Sequence, residues 1–242
     1  MAATAGPALA CVMFVALPTR TRPTLRWATP LLLLASAGVF VWANGQPGAA
    51  QRALLLDWGA LAGGLQSPQA WNDALRDGSV LRLFTALFLH ADWAHLVGNL
   101  VFLLIFGLPA ERAMGSWRFL ALFLVGGAMA NLAAVLFAGS PDRLIIGGSG
   151  AVSAVIGAYL ALFPRARLGV VLPLGLFLEF VRAPASLLIG IWALLQIGFA
   201  YIGRAFGEVA WSAHIAGFGF GVLFALLLRG AIARSMRRRS GY

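Results

Sequence analysis

The feature that most limits what this chain can fold into is a series of six long apolar stretches, at residues 27–43, 83–110, 119–137, 145–163, 185–202 and 209–228. The hydrocarbon core of a bilayer is about 30 Å thick and takes roughly 20 apolar residues to cross as a helix. Inside it every backbone N–H and C=O must be bonded within the segment, which leaves the helix as the form for each stretch. Composition agrees, because a chain of 242 residues that is 61% hydrophobic and 11% charged has too few polar groups to clothe a soluble globule. The expected fold is an all-α polytopic membrane protein with six transmembrane helices.

Charge sets the expected orientation. All 18 basic residues are arginine, and the formal net charge is +10. A nucleic-acid binder would gather them on one soluble face. Here Arg20, Arg22 and Arg26 precede the first stretch, and Arg229, Arg234, Arg237, Arg238 and Arg239 follow the last. The positive-inside rule then puts both termini in the cytoplasm and demands an even number of spans. On that topology thirteen arginines are cytoplasmic and five (Arg52, Arg76, Arg82, Arg143, Arg204) lie outside. The expected organisation is a cytoplasmic segment at 1–26, a membrane domain at 27–229 with an outer loop at about 44–82, and a basic cytoplasmic tail at 230–242. The expected location is a bacterial plasma (inner) membrane.

Residues 169–181 are broken by Pro173 and followed by Arg182, and read as an interfacial segment rather than a span. The apolar stretch 7–18 is too short for a span and lacks the charged region of a signal peptide. Cys11 is the only cysteine, so no internal disulfide exists, and the apolar run before it is too short for a lipidation site.

The polar residues inside the apolar stretches carry the chemistry. Ser149 stands between glycines near the start of the fourth, and a serine hydroxyl is a weak nucleophile until a base takes its proton. There are three histidines, His90, His95 and His214. In this topology the second, fourth and sixth helices run the same way. Ser149 follows Leu144 by five residues and His214 follows Val209 by five, which puts each about 7 to 8 Å below the outer end of its helix. His95 and Asn99 are four apart, on one face of the second helix and in its outer half. Small residues provide for close approach: Gly150, Ala154 and Ala158 on the fourth helix, Ala213, Gly217 and Gly221 on the sixth. Gly147, Gly148, Gly150, Gly217 and Gly221 are expected to admit a substrate backbone and to pack the helices.

These positions describe a reaction. His214 takes the proton of Ser149, whose oxygen attacks a carbonyl, and the oxyanion is held by His95, Asn99 and the backbone N–H of Ser149. No carboxylate shares this depth, since Glu179 is cytoplasmic and Glu208 lies in the outer turn, so a Ser-His dyad is expected rather than a triad. No cofactor or metal is expected, because His90 and His95 are five apart rather than three or four. Blander roles compete for each residue. Ser149 could be a packing residue, and His95 and Asn99 interhelical glue. His90 and Asp92 could be solvated at the mouth. Ser153 lies a turn deeper than Ser149 and lacks a glycine before it, and Glu111 fits a structural role on loop N–H groups at the cytoplasmic side.

The ordered set resembles the rhomboid family of intramembrane serine proteases. G-G-S-G at 147–150 is similar to that family's GxSG, A-H-I-A-G-F-G-F-G from Ala213 to its histidine followed by GxxxG, and H-L-V-G-N from His95 to its HxxxN. Gly107, Glu111 and Gly115 resemble its GxxxExxxG, and Arg82 its outer-loop arginine, with Leu81 where many members have tryptophan. Some members carry an aromatic four residues after the nucleophile. Here that residue is Ser153, so Trp211 or Phe218 is expected to orient His214. The resemblance implies a six-helix bundle that cleaves transmembrane protein substrates near their outer ends, with water admitted from outside and no metal or cofactor; the lipid bilayer is its other partner and no nucleic acid is expected. A catalytically silent relative would not need Ser149 and His214 together. A transporter would need polar residues through the inner half, where the fourth helix instead continues Ala154, Val155, Ile156, Gly157, Ala158.

Overall fold

In the computed structural model, which describes residues 25–138, 140, 142–174, 177–202 and 211–240, the apolar stretches are helices whose ends are set by glycine, proline and a few capping side chains. The expected features at residues 7–18, Cys11 and 204–208 lie outside the described residues. Helix α1 (Ala28–Asn44) starts on a buried carboxylate. Glu111, 1% exposed, accepts from the N–H groups of Ala28 and Thr29 at 2.9 Å each and from the Thr29 hydroxyl at 2.7 Å. It thereby satisfies donors that every helix start leaves open, which is the structural role expected of it.

At the other end of α1 the chain builds a cap from α2 (Gly48–Trp58), β1 (Ala60–Leu61), α3 (Pro68–Arg76) and α4 (Arg82–Thr85). The start of α3 is encoded locally: Pro68 fits the first turn and the Ser67 hydroxyl accepts the Ala70 N–H at 3.1 Å. The cap is pinned by polar contacts. Thr85 Oγ1 donates to Trp58 O at 2.6 Å, and the buried Asn131 amide of the third span donates to Leu83 O at 2.9 Å.

The second span begins at α5 (Trp93–Phe102), ten residues later than expected at residue 83, and continues through a π turn at Leu103–Gly107 into α6 (Leu108–Met114). Leu83, Ala86, Leu87 and Leu89 are buried, but by protein, in short turns of the cap that end where the backbone extends at Leu89. Hydropathy alone does not separate burial in protein from burial in lipid. The π turn has a local cause in Pro109, which brings no N–H and whose ring crowds the carbonyl of the preceding turn. Gly115, at a φ of 86° open to glycine, then reverses the chain into α7 (Ser116–Leu136).

The fourth apolar stretch also starts late. Residues 144–145 form β2 (Leu144–Ile145), paired antiparallel with β1 so that Ala60 faces Ile145, and α8 (Ser149–Leu162) begins at Ser149 itself rather than at 145. With 14 residues α8 is about 21 Å long, shorter than a hydrocarbon core, and every residue from Gly150 to Tyr159 is buried. The all-α expectation fails at residues 167–184, where β3 (Arg167–Leu174) and β4 (Phe177–Pro184) form an antiparallel hairpin with Leu174 opposite Phe177. Helix α9 (Ala185–Ile202) has the bounds expected of the fifth span. Helix α10 (Trp211–Ser240) runs on past residue 229, so the described part of the basic tail is helix continuous with the sixth apolar stretch.

The molecule is mainly helical. Among the described residues Trp93–Met114, Ser116–Leu136 and Trp211–Ser235 are long and apolar enough to cross a membrane, and α1 and α8 are shorter apolar helices. Its centre is α8 gripped by α7 and α10, and its outside is apolar, with Leu34, Val101, Ile105, Val125, Leu194 and Leu227 among the exposed side chains.

Candidate active site

The site forms where the first turns of α5, α8 and α10 meet under the cap. The segment before α8 is strapped down by a hydrogen bond from the Gly147 N–H to Ala86 O at 2.9 Å. Gly147 has a φ of 117°, and a Cβ there would come within 2.5 Å of His95 Cε1; one at Gly148 would come within 3.0 Å of Leu87 O. Both glycines are therefore accounted for by the seat of the strap. On α10, Cβ atoms at Gly217 and Gly221 would overlap the backbone carbonyls of Gly150 and Ala154, and one at Gly150 would stand 2.6 Å from Ala130 Cβ. Only bare backbone fits there, and that contact brings the first turn of α10 against the start of α8.

The side chains then meet. Ser149 Oγ is 2.8 Å from His214 Nε2, and His214 Nδ1 is 2.6 Å from the amide oxygen of Gln196 on α9. A carboxamide oxygen only accepts, so a hydrogen bond at that contact requires Nδ1–H as donor, and a neutral ring then offers Nε2 to the Ser149 hydroxyl. Trp211 packs edge-on against the imidazole, ring centres 5.8 Å apart at 87°, whereas Phe218 packs on Trp192.

Asp92 caps α5 by accepting the His95 N–H at 2.8 Å, which sets that helix's first turn beside Ser149. His95, Asn99, Ser149, Trp192, Gln196 and His214 line a cavity of about 230 Å³. The Asn99 Nδ2 is buried and has no hydrogen-bond partner. A buried amide donor in that state is costly unless something else comes to accept from it. Ser149 is the first residue of α8, so its own N–H, like those of Gly150 and Ala151, has no acceptor inside the helix and lies at the positive end of the helix dipole.

The remaining candidates sit apart from this exchange. Ser153 donates its hydroxyl to Ser149 O at 2.7 Å, a bond back along its own helix. His90 is buried under the strap with Nδ1 3.2 Å from Phe88 O, and its ring meets that of His95 edge-on at 5.1 Å. Burial, helped by His95, pushes the His90 imidazole down to about 4, so it is neutral and its Nδ1–H donates to Phe88. Arg82 reaches Leu56 O at 3.4 Å in the cap, away from the cavity. Apolar spacing puts Ser149 five residues inside a helix. It is instead the first helical residue, and only there does its N–H escape the intrahelical ladder. Gln196 is the site residue that sequence reasoning missed. Its signal is a lone carboxamide in the otherwise apolar stretch 187–200, which escapes notice when only carboxylates are weighed as a third group.

Comparison with known proteins gives the same neighbourhood. RHOMBOID-like protein 5 of Arabidopsis thaliana is 27% identical over 228 residues, 86% of this chain and 70% of that protein. Rhomboid protease GluP of Bacillus subtilis is 30% identical over 148 residues, 60% of this chain and 25% of that protein. Rhomboid-related protein 2 of Mus musculus is 28% identical over 193 residues, 77% of this chain and 59% of that protein. The chain thus spans less than two thirds of the latter two. A family model described as a Rhomboid domain matches residues 77–231, a span that holds the strap, α5, α8, α9 and the first turns of α10. With well over half of its length so matched, this membrane protein belongs to the rhomboid family.

Proposed function

We propose that the protein is an intramembrane serine endopeptidase that hydrolyses peptide bonds of transmembrane protein substrates near the outer membrane face, with Ser149 as nucleophile and His214 as general base. The observation that carries this reading is the 2.8 Å contact between Ser149 Oγ and His214 Nε2 at the wall of a cavity where the Asn99 amide waits without a partner.

The steps follow from those atoms. Ser149 Oγ attacks the substrate carbonyl carbon as its proton passes to His214 Nε2, and the carbonyl oxygen becomes an oxyanion. Asn99 Nδ2, His95 and the N–H of Ser149 hold that charge, and the α8 dipole favours it. The imidazolium returns the proton to the leaving amine as the C–N bond breaks, which leaves an acyl group on Ser149. Water, deprotonated by His214, then releases the acid and restores the serine. The glycines at 147, 148, 150, 217 and 221 hold the strap and helices close enough for this geometry.

In the membrane, α1, α5–α6, α7, α8, α9 and α10 are taken as six spans. Both termini are cytoplasmic and the site opens to the outer side, as the arginine distribution favours. The plasma membrane of a bacterium is the proposed location, and no nucleic-acid partner or cofactor is invoked. The similarity to a protein named as a rhomboid protease supports the reaction class.

The test is cleavage of a reporter transmembrane substrate by purified protein in lipid vesicles. Ser149→Ala and His214→Ala are expected to abolish it, and Asn99→Ala to lower kcat roughly 10- to 100-fold with little change in KM. Undiminished cleavage by either of the first two variants would overturn the proposal.

A further inference from the structure

Gln196 is hydrogen-bonded to His214, yet the steps above give it no part. It is the only carboxamide or charged side chain between Ser186 and Tyr201, it is 8% exposed, and its oxygen lies 2.6 Å from His214 Nδ1. A polar group in an apolar helix is costly and persists where it has a partner or a task. Its neighbours on the buried face of α9 are Ala185, Ile189 and Trp192, so the face that meets the site is otherwise apolar or aromatic.

A neutral imidazole has two tautomers, and the group facing one ring nitrogen selects between them. With the proton on Nδ1, Nε2 offers a lone pair and takes the proton of Ser149. With the proton on Nε2, that N–H donates to Ser149 Oγ and no base faces the serine. Among the described residues, the titratable groups that face His214 are Ser149 from α8 and His95 from α5, and the cavity wall carries no carboxylate and no arginine. None of these neighbours supplies a second acceptor for Nδ1–H.

We propose that Gln196 is a positioning residue that holds His214 in the Nδ1–H tautomer and so makes it a base toward Ser149. Its consequence for rate rests on the protease reading above, but the tautomer itself does not. Being neutral, the amide orients the ring without adding the charge that a carboxylate would lend to the imidazolium. The third group of the site is thereby placed on a different helix from the base.

The deciding measurement is nitrogen NMR of the full-length protein with 15N-labelled histidine in lipid nanodiscs, with His214→Ala identifying the relevant one of the three histidines. Wild type is expected to show His214 as the Nδ1–H tautomer. Gln196→Leu, similar in size but without an acceptor, is expected to raise the Nε2–H form to half or more and to lower kcat at least tenfold with KM within twofold. Gln196→Glu is expected to keep the Nδ1–H form and to move the acid limb of the kcat/KM profile to higher pH, which a merely structural residue would not do. An Nε2–H tautomer in wild type, or an unchanged tautomer in Gln196→Leu, overturns the inference. If Gln196→Leu does not fold, an Nε2–H tautomer in wild type or an unmoved acid limb in Gln196→Glu overturns the inference instead. Cleavage that survives Ser149→Ala would sink the protease reading alone, since the tautomer is read without any substrate.

Discussion

Helices α8 and α9 both wall the cavity, but they are held in opposite ways. Helix α8 is enclosed from Gly150 to Tyr159, and it meets α10 through backbone, with glycines 157, 217 and 221 standing where any Cβ would strike a carbonyl or its neighbours. Helix α9 exposes Leu187, Ile191, Leu194 and Leu195 and holds to the rest along one line, Ile189, Trp192 and Gln196. In a bilayer no hydrophobic effect drives helices together, because lipid is as apolar as leucine; close packing and hydrogen bonds do it instead. Ser149 and His214, the proposed nucleophile and base, therefore sit on the tightly packed pair, while Gln196, proposed to orient the base, sits on the helix with the thinnest attachment.

The contrast can be tested from its strongest point downward. Gly221→Val forces a branched side chain against the Ala154 carbonyl, and is expected to cost roughly 2–4 kcal/mol and to abolish Ser149 labelling by a fluorophosphonate. A denaturation midpoint equal to that of wild type would show that the α8–α10 contact is not what fixes the site.

A smaller effect is expected at the strap, where His90 titrates at about 4 when folded against its ordinary value of 6.5. Its folded value is depressed, so below pH 6.5 the unfolded chain binds a proton that the native state refuses, and stability falls as pH drops toward 4. Between pH 7 and pH 5 this amounts to about 1–2 kcal/mol. The thermal midpoint of wild type should thus fall more over that interval than that of His90→Gln, and parallel falls would place the acid sensitivity elsewhere.

The smallest effect is expected on α9. At Gly190 and Gly198 an added methyl group would meet nothing within 4 Å, so alanine at either should leave cleavage unchanged and stabilise the helix by about 0.5–1 kcal/mol. A destabilising Gly198→Ala would mean that α9 packs as tightly as α8.

Particular residues show how far the sequence could be read. The bounds of α1 and α9 lie close to those expected at 27–43 and 185–202, because there the apolar stretch stops at arginine, proline or glycine near where the helix does, whereas α7 starts three residues before the expected 119 and holds Arg118 inside it. The starts expected at 83 and 145 are too early for one shared reason: Leu83 and Ile145 pack with the cap and α7, and Leu87 against Gly127 of α7, so protein and not lipid covers them. The hairpin at 167–184 escapes because its apolar residues are paired strand to strand, a register that no local pattern announces. Counting inward matches Ser149 with His214 although α8 starts at Ser149 rather than at 144, and they still lie side by side because each sits within the first described turn of its helix.

From the order of its amino acids the chain already shows that it enters the membrane, where its long apolar segments lie, and which few polar side chains have to find partners inside it. Those follow from composition and local spacing, which act along one segment at a time. That Ser149 opens its helix instead of lying within it, that Asn99 keeps an idle donor at the cavity, and that an amide on α9 meets the far nitrogen of His214 are matters of contact between segments. They depend on backbone surfaces pressed together at glycine, and such fit exists only once the helices are assembled.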